Sequence, residues 1–118
     1  MALVAEDGRE WYEVLPCAAP CEWVSKNVMP VLGKAPLENI AALTRSLYWF
    51  LRQFSELHVV ADWPEDIQHF CAALITGAGE RIDTPPLTLE ILRIDSESQV
   101  PHNALWDARG IRDKVLSA

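Results

Sequence analysis

An α/β fold with a mixed sheet is what this sequence predicts. Three features carry that expectation: an Asp-Gly turn between two strand-like runs at the amino end, a nearly all-apolar run at residues 57–61, and helical spacing of apolar residues in three later segments. At 118 residues the chain has the length of one domain, and half of its residues are hydrophobic, enough for a sizeable core.

The elements follow in order. Ala2-Leu3-Val4-Ala5 and Glu10-Trp11-Tyr12-Glu13-Val14 read as strands joined through Glu6-Asp7-Gly8-Arg9, because Asp and Gly tolerate the positive φ of a tight hairpin turn. Pro16 to Pro20 punctuates a turn, and Cys21 to Met29 forms a short helix with Trp23 and Val24 inward, stopped near Pro30 and Gly33. Pro36 suits the first position of the next helix, whose face is marked by Leu37, Ile40, Leu43, Leu47, Leu51 and Phe54. Leu57-His58-Val59-Val60-Ala61 has the pattern of a strand covered on both faces, in the middle of the sheet.

Asp62-Trp63-Pro64-Glu65-Asp66 turns that strand into a helix with Ile67, Phe70, Cys71 and Leu74 on its buried side. Asp62 and Glu65 have the spacing of a capping box, and Pro64 fits the first turn. Gly77-Ala78-Gly79 ends this helix, Pro85-Pro86 brackets a loop, and residues 87–94 alternate as a strand with one face less buried. A polar loop from Asp95 to Gln99 precedes the closing helix, which starts near residue 103 and packs Ala104, Ala108, Ile111 and Val115 inward.

Composition narrows the function classes. A net charge of −7 argues against holding nucleic acid by broad phosphate neutralisation, which needs a basic face. It is compatible with a site built from carboxylates, whose bound cations would supply the positive charge. No apolar stretch approaches the roughly 20 residues of a membrane span, and no secretory leader pattern opens the chain, so the expected setting is cytoplasmic with no membrane partner. Cys17, Cys21 and Cys71 are an odd number with no zinc-knuckle spacing, and read as small apolar residues.

The chemistry-bearing candidates lie at two places. His102 and Asp107 are five residues apart at the mouth of the closing helix. Were His102 helical, five steps of about 100° would turn it roughly 140° from Asp107, so the two can face one site only if His102 precedes the helix, as Pro101 favours. Asp66 lies about one turn into the helix that follows the buried strand, where α/β proteins commonly place ligands. Trp63 and Trp106 adjoin these carboxylates and are candidates for stacking on a base.

His102-Asn103-Ala104-Leu105-Trp106-Asp107-Ala108-Arg109 resembles the third motif of the DEDDh 3′-5′ exonucleases, in which four residues separate histidine and aspartate. Val59-Val60-Ala61-Asp62-Trp63-Pro64-Glu65-Asp66, with Cys71 five residues on, resembles their second motif. Residues 3–12, Trp23-Val24 and Val28-Met29-Pro30 are similar to one branch, the small bacterial 3′-5′ exoribonucleases related to RNase T.

The resemblance implies an RNase H-like mixed sheet flanked by helices and a divalent-metal-dependent hydrolase that releases 5′ mononucleotides from RNA 3′ ends. It assigns Asp66 and Asp107 to the metal, Mg²⁺ or Mn²⁺, and His102 to the general base. Two ions about 4 Å apart would hold the scissile phosphate in the complete site. The implied partner is a single-stranded RNA or DNA 3′ end, and relatives of this kind are often dimers, which makes a second copy of the chain an admissible partner.

The family's first motif, an Asp-x-Glu on the first, central strand that bridges the ions, has no counterpart strand in this sequence. The resemblance thus implies a single incomplete exonuclease-like domain over residues 1–118 that begins at the family's second strand, with a shortened gene model or fragment as the favoured explanation. Asp66 and Asp107 alone are expected to bind Mg²⁺ weakly and to give very low activity. The alternative expectation is a catalytically degenerate relative that binds single strands or serves as a protein-interaction module.

Overall fold

Strands and helices are interspersed along the chain in a mixed α/β order. The computed structural model describes residues 1–15, 22–93 and 103–117. It divides the chain, expected to form one domain, into two compact units, Met1–Glu38 with Ile94–Ala118, and Asn39–Arg93. None of the described helices is long and apolar enough to cross a membrane.

The first unit opens on the expected hairpin. Strands β1 (Ala2–Val4) and β2 (Glu10–Tyr12) pair antiparallel, with Leu3 opposite Trp11. Gly8 takes a φ of 95°, and the Asp7 carboxylate accepts hydrogen bonds from the Arg9 amide and Nε, so the turn residues hold the loop as their chemistry suggests. Trp11 and Val14 are buried.

Helix α1 (Glu22–Asn27) is followed by a single 3-10 turn, Met29–Val31. Pro30 falls inside that turn rather than ending it. The turn's hydrogen bond runs from the Val31 amide to the Val28 carbonyl, so it makes no demand on the N–H that proline lacks. The inward placement of Trp23 is corrected, since Trp23 is 54 % exposed. A helix of fewer than two turns has no repeating stripe to fix which side is covered.

The closing helix α4 (Ala104–Ser117) starts where its periodicity indicates. Its stripe Ala104, Ala108, Ile111 and Val115 is half-buried, and no residue of α4 is fully buried. Side-chain bonds to the hairpin make up the difference. Arg109 forms a two-pronged pair with the Glu10 carboxylate, and Arg112 donates to the Glu6 carbonyl.

In the second unit, helix α2 spans Ile40–Leu51, four residues later than a start at Pro36. Asn39 decides the boundary, since its side-chain oxygen accepts from the Ala42 amide and caps the helix. Leu43, Thr44, Leu47, Phe50 and Leu51 are buried, whereas Ile40 is exposed and Phe54 lies beyond the helix, packed edge-on against Phe50. Strand β3 (Leu57–Ala61) leads into α3 (Pro64–Leu74), a small hairpin β4 (Ile75–Gly77) and β5 (Glu80–Arg81), and β6 (Leu87–Ile91).

β3 and β6 pair in parallel from Leu57 opposite Leu87 to Ala61 opposite Ile91, forming a strand–helix–strand unit across α3. The expectation that β3 lies mid-sheet and covered on both faces is corrected. Among the described residues β3 pairs with β6 alone, and its exposed His58 meets Glu90 at 2.8 Å. A strand edge and a polar diagonal pair replace the second covered face. Likewise, the described strands form three two-stranded sheets, β1-β2, β3-β6 and β4-β5, in place of one mixed sheet. The expectation that Gly77-Ala78-Gly79 ends the helix is corrected: α3 ends at Leu74, Gly77 closes β4, and Ala78-Gly79 make the turn of the β4-β5 hairpin, with Gly79 at φ 72°.

Candidate functional site

Proline fixes the geometry around Asp66. Pro64 occupies the first position of α3, where its missing N–H costs nothing, and this makes Trp63 the N-cap residue. Asp62 therefore stands one residue outside the cap, and the capping box expected from Asp62 and Glu65 does not form. Asp66 falls at the third helical position, exposed, with its amide bonded to the Trp63 carbonyl.

This turn follows the carboxyl end of β3 directly. The Leu92 amide donates to the Ala61 carbonyl and extends the parallel ladder to that end. Trp63 stands there 61 % exposed and Ile91 49 % exposed. The turn beyond the carboxyl end of the β3-β6 pair thus carries both an exposed carboxylate residue, Asp66, and an exposed aromatic one, Trp63. Glu65 and Asp66 also sit in the first turn of α3, where the helix dipole favours negative charge, which is a structural reason for both.

The second group lies in the other unit. Asp107 is half-buried in the first turn of α4, its amide bonded to the Asn103 carbonyl. Trp106, beside it, carries the Arg109 guanidinium over its ring at 4.4 Å. One face of that indole is therefore engaged within the protein. His102 lies outside the described residues, as do Cys17 and Cys21. Asp66 and Trp63 thus share one turn of the second unit, and Trp106 and Asp107 one turn of the first. Among the described residues of either unit, no three His, Cys, Asp or Glu side chains gather into a group that could hold a metal ion.

The residue that sequence reasoning passed over is Asn103. It is 5 % exposed, and its Oδ1 accepts from the amides of Leu105 and Trp106, capping α4. Its Nδ2 faces the carbonyls of Val31 and Leu32 and the Tyr12 hydroxyl, which in turn donates to Leu32. Burial pushes the Tyr12 phenol above its ordinary pKa. An asparagine just before a helical run is a recognisable cap signal, but its partners 71 to 91 residues away in the sequence are not.

Glu10 is a further case. The Arg109 hydrogen bonds hold its carboxyl below the usual glutamate range, outweighing desolvation. No family model matches this chain, and no curated protein or solved structure matches it.

Proposed function

We propose that this chain carries the second and third motifs of a DEDDh-type 3′-5′ exoribonuclease with an RNase H-like fold, acting on single-stranded RNA or DNA 3′ ends. The observation that supports it best is Asp66 in the first helical turn beyond the carboxyl end of the parallel β3-β6 pair, the location where strand–helix–strand units present ligand-binding groups. Asp107, one turn into α4, is the second carboxylate of the reading. Both supply the hard oxygen donors that Mg²⁺ or Mn²⁺ takes, and such an ion would polarise the scissile phosphate.

In this reading His102 takes the proton of the attacking water, a role that suits an imidazole with a pKa near neutrality and contributes about 10²–10⁴-fold. Trp63 offers an open ring to a terminal base. The test is release of 5′ mononucleotides from a short single-stranded oligoribonucleotide in Mg²⁺ or Mn²⁺, compared among the natural chain, Asp66→Asn and Asp107→Asn. Metal-dependent release that either substitution abolishes supports the reading, and release that survives both overturns it.

The second reading is a binding module of the same fold without turnover. Retention of oligonucleotide without product, in the presence of metal, would select it.

A further inference from the structure

Helix α2 buries one side and leaves the other to solvent, and the composition of that outer side is unusual for this chain. Residues 39–55 hold Arg45 and Arg52 and no carboxylate, in a protein whose net charge is −7. Spacings of three and four place Arg45, Tyr48, Trp49 and Arg52 on one face, opposite the buried Leu43 and Leu47. Trp49 is 63 % exposed. The rings of Tyr48 and Trp49 meet edge-on at 5.4 Å, and the Arg52 guanidinium lies 5.2 Å from the first ring and 5.1 Å from the second. Arg52 also donates to the Tyr48 hydroxyl at 3.1 Å, and neither Arg45 nor Arg52 has a carboxylate partner among the described residues.

We infer that this face is a stacking platform for single-stranded nucleic acid. A guanidinium over a ring shields apolar surface, and a cation at a helix carboxyl end is favourable, which together account for Arg52. They do not account for Arg45 or for the open face of Trp49. An aromatic ring next to cations without carboxylate partners matches the alternation of base and phosphate along a single strand: the ring takes a base and the arginines take phosphates on either side. Charge complementarity selects this occupant. A helical protein partner would call for a continuous apolar stripe, which the two guanidinium groups interrupt, and elsewhere the acidic chain repels a polyanion. The platform stands on its own residues and does not depend on the exonuclease reading.

The test is fluorescence anisotropy of a labelled short oligo(A) with the whole chain in excess EDTA, where metal-dependent cleavage cannot contribute. The natural chain binds, and Trp49→Ala weakens binding by about 5- to 150-fold, the range for loss of one stacked base. Arg45→Ala and Arg52→Ala each lower the slope of log affinity against log salt by about 0.7. Arg52→Lys keeps the charge, loses planar stacking and falls between the natural chain and Arg52→Ala. This variant decides the matter should Trp49→Ala fail to give the natural circular dichroism spectrum. No binding by the natural chain, or equal binding by all variants, overturns the platform. So does a change of self-association in sedimentation velocity on Trp49→Ala with no change in oligo(A) affinity, because the face would then be a contact between copies. Since no metal is present, failure here leaves the mononucleotide-release test untouched, and the reverse also holds.

Discussion

The two units of this protein are held by different forces. In Asn39–Arg93 the buried side chains are Leu43, Leu47, Phe50, Leu51, Ala61, Phe70, Ala73 and Leu74, with the Thr44 hydroxyl bonded to the Ala73 carbonyl as the buried polar tie between α2 and α3. In the other unit Trp11 and Val14 reach that depth. There α4 is secured by the polar cap of Asn103, the paired bonds of Arg109 to Glu10, and Arg112 on the Glu6 carbonyl. One unit draws on the hydrophobic effect, which is non-directional and scales with area. The other relies on a few directional bonds whose value depends on every partner being in place. The carboxylate Asp66 stands on the apolar unit and Asp107 on the polar one, so substitutions far from either should disturb the two halves differently.

The largest effect is expected in the apolar unit. Leu47 is fully buried, and Leu47→Ala should cost about 2–5 kcal/mol in urea unfolding through lost transfer energy and a residual cavity. A cost below about 1 kcal/mol would mean the α2 face collapses readily and the contrast between units is weaker than drawn.

Next comes Asn103→Ala, which removes the cap of α4 and takes the side-chain donor from the Val31 carbonyl and one of two from the Leu32 carbonyl, which keeps the Tyr12 hydroxyl. A loss of about 1–3 kcal/mol is expected, with earlier hydrogen exchange in α4 than in α2. Equal protection in both helices would break the comparison. Thr44→Val probes the buried polar tie between α2 and α3 and should cost about 1–2 kcal/mol, since the shape is kept but the Ala73 carbonyl loses its donor.

The smallest effect is electrostatic. Glu10 has its carboxyl pKa lowered in the folded state, so its contribution is present above the unfolded-state value and is lost as pH falls through the folded-state value. In an NMR titration the Glu10 carboxyl should therefore ionise below the ordinary glutamate range, and Arg109→Ala should return it toward that range. The pair is partly exposed, so its stabilisation should fade in salt.

What could be read in advance follows the same division. The α2 stripe, the turn at Gly8, the helix beginning at Pro64 and the closing helix near residue 104 are local patterns, and each was legible because its physics lies within a few residues. Local competition moved some boundaries. Asn39 offered a better cap than Pro36 a start, and Pro64 displaced Asp62 from the capping box. At the candidate site the sequence placed Asp66 and Asp107 each in the first turn of a helix, and both stand there.

By itself the sequence determined the existence and type of α2, α3 and α4, the amino-terminal hairpin, and which carboxylates stand at helix starts, because backbone capping and hydrophobic periodicity act over one or two turns. Only the tertiary structure decided that β3 pairs in parallel with β6 alone among the described strands, that Asn103 bonds to residues more than seventy positions away, and that Arg109 occupies both Glu10 and a face of Trp106. Those choices depend on which chain segments meet after the loops close. That is set by the summed free energy of long-range contacts, for which no local pattern carries a signal.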